Sequence, residues 1–150
     1  MTRVCLVGAD DVDLRFELLS RETAREALST YDLTQPYENT LALSTVSVGA
    51  AVALLNDLNW YLVRYADAAL VRDPSVSETE WLSRELAEAV RNDEVTPAET
   101  DEYLRLYGVE DGRLVEPLFV RRTDGEVSEY DLRDVEETVA VRVTEGEFGQ

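Results

Sequence analysis

The chain contains no lysine and no histidine, and it has a single cysteine, Cys5. Each absence removes a class of chemistry. Without imidazole, Ser-His-Asp and Cys-His catalysis and histidine metal ligation are closed. With one cysteine there is neither an internal disulfide nor a thiolate cluster for zinc, and Cys5, inside an apolar run, reads as a buried small hydrophobe. Without lysine there is no P-loop, whose phosphate grip needs one. Uninterrupted apolar segments are also missing. The longest candidate, VSVGAAVALLNDLNWYLVRYADAALV, is broken by Asn56, Asp57, Asn59, Arg64 and Asp67, a polar density that excludes a membrane span. Arg3 is followed by only a few apolar residues before Gly8-Ala9-Asp10-Asp11, which is not a signal-peptide pattern. The expectation is a soluble, cytoplasmic protein.

What is present is acid. There are 32 Asp and Glu residues against 14 basic ones, all arginine, for a net charge of −18. An ordinary domain of this size would carry roughly ten lysines. The acids run along the whole chain instead of forming a tail, and lysine is missing everywhere. This pattern favours adaptation to molar salt, with hydrated cations at the surface, over a mimic of nucleic acid. Direct nucleic-acid binding is disfavoured by the same charge. Apolar residues make up 45% of 150, enough for one domain with a real core and no disorder signature.

Periodicity sketches the elements. RVCLV (3–7) reads as a strand. Val12, Leu14, Phe16 and Leu18 alternate with charged residues, which predicts a second strand and a hairpin through Gly8–Asp11. Ser20 is placed as the cap of a short helix with Ala24, Ala27 and Leu28 inward, followed by a strand at 40–46. Ser47 caps a central helix at 48–66, apolar on most sides and therefore expected in the middle of the domain. A strand at 68–72 precedes two further capped helices. One opens on the box Ser77-Glu78-Thr79-Glu80 and runs to about Arg91; the other opens on Thr96-Pro97-Ala98-Glu99 and leaves through Gly108. RLVEPLFVRR and EVSEYDL flank a hairpin turn at Thr123-Asp124-Gly125, and Val139, Val141 and Val143 alternate in a last strand. The expected architecture is a single α+β domain over 1–150, with mostly antiparallel strands toward both ends and helices in the middle.

Three places invite a functional reading. Asp10, Asp11 and Asp13 near a turn are weak candidates for a hard cation, but they lack the EF-hand spacing, and the default assignment is no metal and no cofactor. On the central helix, NDLNWYLVRY carries Asn56, Asp57, Asn59, Trp60, Tyr61 and Arg64, polar groups that must find partners or water. They are expected to form a buried polar network, a partner surface, or the lining of a ligand pocket. The arginines of the last third (Arg113, Arg121, Arg122, Arg133, Arg142) are interleaved with acids and read as surface ion pairs.

VDLRFELLSRETAREAL, TVSVGAAVALLNDLNWYLVRYADAALV and EYDLRDVEETVAVRV resemble a family of short, uncharacterised haloarchaeal proteins, almost end to end. The resemblance implies a salt-adapted protein and transfers no activity, cofactor or catalytic residue. The functional expectation is a non-enzymatic protein-interaction or regulatory domain, binding another protein or a second copy of itself. The alternative is a ligand-binding or carboxylate/arginine enzyme around Asp57 and Arg64.

Overall fold

A computed structural model describes residues 1–122 and 137–148. Seven strands form one sheet in the order β2-β1-β3-β4-β7-β5-β6. They are β1 (Thr2–Gly8), β2 (Thr40–Thr45), β3 (Ala66–Arg72), β4 (Trp81–Ser83), β5 (Tyr103–Glu110), β6 (Arg113–Arg121) and β7 (Glu137–Val143). The pairings are antiparallel except β4 with β7. Among the described residues there are also five α-helices, α1 (Leu14–Leu19), α2 (Glu22–Leu28), α3 (Val48–Asp57), α4 (Asn59–Tyr65) and α5 (Arg84–Arg91), and the fold is α+β.

The sheet has two different faces. On one, Val4, Leu6, Leu41, Leu43, Val71 and Leu82 pack against the helices. On the other, Cys5, Val7, Leu70, Trp81, Val141 and Val143 form a second apolar cluster contributed by strands from both halves of the sheet. That meeting requires the sheet to curl, as right-handed strand twist favours in a wide sheet. The two ends come together where the Glu38 N–H donates to the Gly112 carbonyl at 2.8 Å, beside an Arg113–Glu38 ion pair at 3.9 Å.

The expected second strand of an N-terminal hairpin is helix α1 instead. The Asp13 carboxylate caps it by accepting from the Phe16 N–H at 3.1 Å. Leu14 and Leu18, four residues apart, are buried, whereas Phe16 stays 63% exposed. The strict alternation was thus two buried positions at helical spacing with an exposed phenylalanine between them. β1 pairs with β2 and β3 on its two sides, so no place for a hairpin partner remains. Ser20 closes α1 rather than opening α2, whose N-terminal flank is Arg21.

Ser47 does cap the central helix, through the Ala50 N–H, and the helical stretch breaks in two at Leu58. It lies across the sheet rather than through the middle of the domain. Ala51, Val52, Leu55, Leu58 and Leu62 are buried, while Ala53, Asn56, Asp57 and Val63 face out. The Ser77 hydroxyl accepts from the Thr79 and Glu80 N–H groups, as a box would, but no helix follows. Trp81–Ser83 pairs into the sheet first, and Ser83 caps α5 six residues later than expected from Ser77. The Thr96/Glu99 capping box forms as predicted but opens only one 3-10 turn, Pro97–Thr100. The expected helix to Gly108 is strand β5, with Leu104 and Leu106 buried on one face and Tyr103, Arg105 and Tyr107 on the other. The turn at Thr123–Gly125 and the EVSEYDL segment lie outside the described residues; Asp111-Gly112 turns β5 into β6.

Candidate functional site

The polar residues of the central helix emerge on its outer surface. Asn56, Asp57, Asn59, Trp60 and Arg64 are exposed and Tyr61 is half-buried. The expected buried network is therefore not formed, because Leu54, Leu55, Leu58 and Leu62 take the inward stripe. Asn56 and Asn59 both accept from Arg84 of α5, at 3.1 and 2.8 Å, a surface clamp between the helices.

The rest of the stretch builds an aromatic and arginine face. Trp60 is 49% exposed, and the Arg64 guanidinium lies 3.8 Å above its ring centroid. Arg64 is held there by donating from Nη1 to the Trp60 carbonyl at 2.8 Å. Tyr61 and Tyr65 present edges to the indole at 5.0 and 6.4 Å. From the start of α2, Arg21 lies 5.2 Å from the Tyr65 ring, donates to the Tyr65 hydroxyl at 2.7 Å and pairs with Glu17 at 3.0 Å. Its Nε is buried and has no partner among the described residues. Val63 (72% exposed) and, on the neighbouring α1, Phe16 add apolar surface. Asp57 and Arg64, the residues around which the alternative ligand or enzyme site was expected, are both exposed and form no ion pair with each other among the described residues.

A second feature lies where the sheet ends approach. A cavity of about 960 Å³ opens there, lined among others by Asp10, Asp11, Asp67, Arg105 and Tyr107. The Gly8–Asp13 loop forms its rim and is pinned on several sides. Asn39, with a left-handed backbone (φ 57°), donates to the Ala9 carbonyl and accepts from the Leu14 N–H, and the Ala9 N–H donates to the Tyr65 carbonyl. Glycine is required at position 8 because a Cβ would come within 2.6 Å of the Asn39 side chain. The weak metal candidates are thereby separated in role: Asp13 is a helix cap, while Asp10 and Asp11 face Asp67. Burial, then the charges of Asp10 and Asp11, raise the Asp67 carboxyl above its ordinary range. Among the described residues no three His, Cys, Asp or Glu side chains gather as a metal site.

Arg105 and Tyr107 were missed because the 96–108 segment read as a helix. The signal that finds them is the alternation of Tyr103, Arg105 and Tyr107 with Leu104 and Leu106. Asp67 could not be found that way. It is the extra residue of a bulge, since Val7 pairs with Ala68 and Gly8 with Ala66.

The third-section arginines partly follow expectation. Arg121 pairs with Glu102 on the surface at 2.6 Å, but Arg122 and Arg142 converge on Glu80 at 2.6 and 2.7 Å in a largely buried hub. Arg133 lies outside the described residues.

Comparison with known proteins identifies the family and no activity. The profile described as "Family of unknown function (DUF5804)" matches residues 2–109. No curated protein and no solved structure matches the chain. The chain belongs to this family of unknown function, and the match takes in the Trp60 face together with Asp67, Arg105 and Tyr107.

Proposed function

We propose, for this member of a family of unknown function, a non-enzymatic protein-interaction role carried by the face around Trp60. The observation that carries it is an indole half exposed to solvent, stacked by Arg64, flanked by Arg21 and followed one turn on by the exposed Val63. Tryptophan and arginine are the residues most enriched in interface hot spots, because each offers a large rigid surface with a directional polar edge. Holding the indole under a guanidinium in the free protein removes part of the ordering cost of binding. An apolar protein segment bearing carboxylates fits this chemistry. Its acids would meet Arg64 and the exposed part of the Arg21 guanidinium, and its apolar side chains Trp60 and Val63.

We further infer a cytoplasmic, salt-adapted protein. The charge of −18 without lysine supports this reading, and no described helix is long and apolar enough to cross a membrane. At about 1 M salt the Debye length is near 3 Å, so an interface there must rest on apolar and stacked contacts more than on long-range attraction. The Trp60 face has that character.

The test is affinity capture from native high-salt lysate, comparing the wild-type chain with a Trp60→Ala/Val63→Asp variant of equal unfolding midpoint. A protein enriched by the wild type and lost with the variant supports the assignment. Identical captured sets from both chains refute it, and reversible self-association lost in the variant by analytical ultracentrifugation identifies the partner as a second copy.

A further inference from the structure

The cavity at the sheet ends is unrelated to the Trp60 face and carries its own inference. Three independent features shape it. First, Asp67 belongs to the β3 bulge. The residues on either side of it in the alternation, Ala66 and Ala69, pack with the helix-side core, but Asp67 is released from the ladder and lines the cavity. Bulges re-aim side chains in this way at ligand sites. Second, a further register shift falls between Leu106 and Gly108, opposite residues 116–117 of β6, so Tyr107 also sits where the ladder opens. Third, Arg105 lies on the same face of β5, 5.4 Å from the Tyr107 ring, with its Nε buried and without a partner among the described residues. A guanidinium that lines a cavity without a carboxylate partner can give an incoming oxyanion charge-assisted hydrogen bonds from its terminal nitrogens.

The site thus carries two unmet demands of opposite sign. The Arg105 guanidinium lines the cavity and forms no ion pair among the described residues. Asp67, on β3, lines the cavity with Asp10 and Asp11 and feels their charge, and the loop that carries Asp10 and Asp11 is fixed by Asn39 and Tyr65. We propose that this cavity binds a small zwitterion, its carboxylate or other oxyanion on Arg105 and its ammonium group among Asp67, Asp10 and Asp11. Tyr107 lines the same cavity, with Arg105 5.4 Å from its ring. Its ring supplies an apolar wall for the ligand's carbon chain. A singly charged molecule satisfies only one pole and leaves the other as it was.

The experiment titrates the full chain, nitrogen-labelled and in roughly 2 M KCl to keep the fold intact, while amide shifts are followed. The probes are δ-aminovalerate, valerate and pentylammonium, which share a five-carbon scaffold and differ in charge. δ-Aminovalerate is expected to shift the amides of Gly8, Asp67 and Tyr107 and to bind at least about tenfold more tightly than either singly charged probe. Arg105→Met should weaken δ-aminovalerate and valerate by about tenfold or more and leave pentylammonium unchanged; Asp67→Asn should do the converse. Asp67 is exposed, so Asp67→Asn remains informative even where Arg105→Met fails to fold. Equal affinity for the three probes, wild-type affinity in both variants, or no shift at about 100 mM δ-aminovalerate would each overturn the proposal.

Discussion

Replacing Glu80 by Gln removes one negative charge from a chain of net −18, leaving −17. If long-range repulsion governed this position, the variant would gain stability, most visibly in dilute buffer. The structure predicts the opposite. The Glu80 carboxylate accepts from Arg122 Nη2 at 2.6 Å and from Arg142 Nε at 2.7 Å, while Arg142 Nη1 also donates to Thr100 Oγ1 at 2.9 Å. The two arginine side chains are only 11% and 12% exposed, and that of Glu80 20%. Taking the charge away leaves two nearly buried guanidinium groups facing a neutral amide. Breaking a buried pair by removing one partner costs about 3–5 kcal/mol, and residual water access places this hub at about 3 kcal/mol. For a domain of this size that is a fall in Tm of roughly 6–12 °C.

The assay is urea unfolding in molar KCl, where surface pairs are screened and a buried hub is not. The pH dependence supplies a second readout. Burial alone would raise the Glu80 pKa, but the hydrogen bonds and charges of Arg122 and Arg142 outweigh it and hold the group below its ordinary 4.5. A depressed carboxyl contributes stability fully above the unfolded value, and the contribution fades as pH falls through the folded one. The wild type should therefore lose stability more steeply than Glu80→Gln below about pH 4.5. A change under about 0.5 kcal/mol, typical of surface pairs, or parallel acid profiles would refute the reasoning.

Asp13→Ala should cost about 1 kcal/mol by removing the cap on the Phe16 N–H, and Asp13→Asn should restore most of it in the same urea assay. Asp57→Ala should change stability by less than about 0.5 kcal/mol, because its side chain is exposed; a loss above about 1.5 kcal/mol would reinstate a structural polar network. Burial pushes the Cys5 thiol up to about 12 despite Arg3 and Arg72 nearby, so iodoacetamide at pH 8 should label it only as fast as the fold opens. Above about pH 9 the unfolded chain loses this proton and the folded one keeps it, so stability should fall there, and a Cys5→Ala variant should lack that share of the fall. Lowering KCl from molar to millimolar should reduce the unfolding midpoint sharply; equal midpoints would contradict salt adaptation.

The elements legible in the sequence were those whose pattern is set by their own burial. β1, β2, β3 and β7 are one-sided or fully buried apolar runs, and Ser47 marked its helix by a cap that depends on three neighbouring residues. Errors arose where tertiary context overrode a local signal. The Ser77 and Thr96 boxes both place hydroxyls on nearby N–H groups, yet pairing of Trp81–Ser83 and of Tyr103–Glu110 into the sheet outweighed helix growth from either. Leu14-Arg15-Phe16-Glu17-Leu18 read as a strand because Phe16 was taken as inward, and nothing local shows that α1 leaves it in solvent. The polar residues of α3 and α4 stood out in the sequence, but their orientation follows from which stripe the leucines occupy. The Asp67–Arg105 juxtaposition was beyond reach altogether, since it depends on a bulge and on the curl that brings β5 near the start of β3.

The central claim, that the Trp60 face receives a protein, is tested most directly by site-specific photo-crosslinking in the native host cells. A benzophenone side chain is placed at Val63, in the face, or at the exposed Glu94 as a control. The account predicts discrete protein adducts from position 63 that disappear with Trp60→Ala, and none from position 94. Adducts of equal yield from both positions, or none from 63, would contradict it.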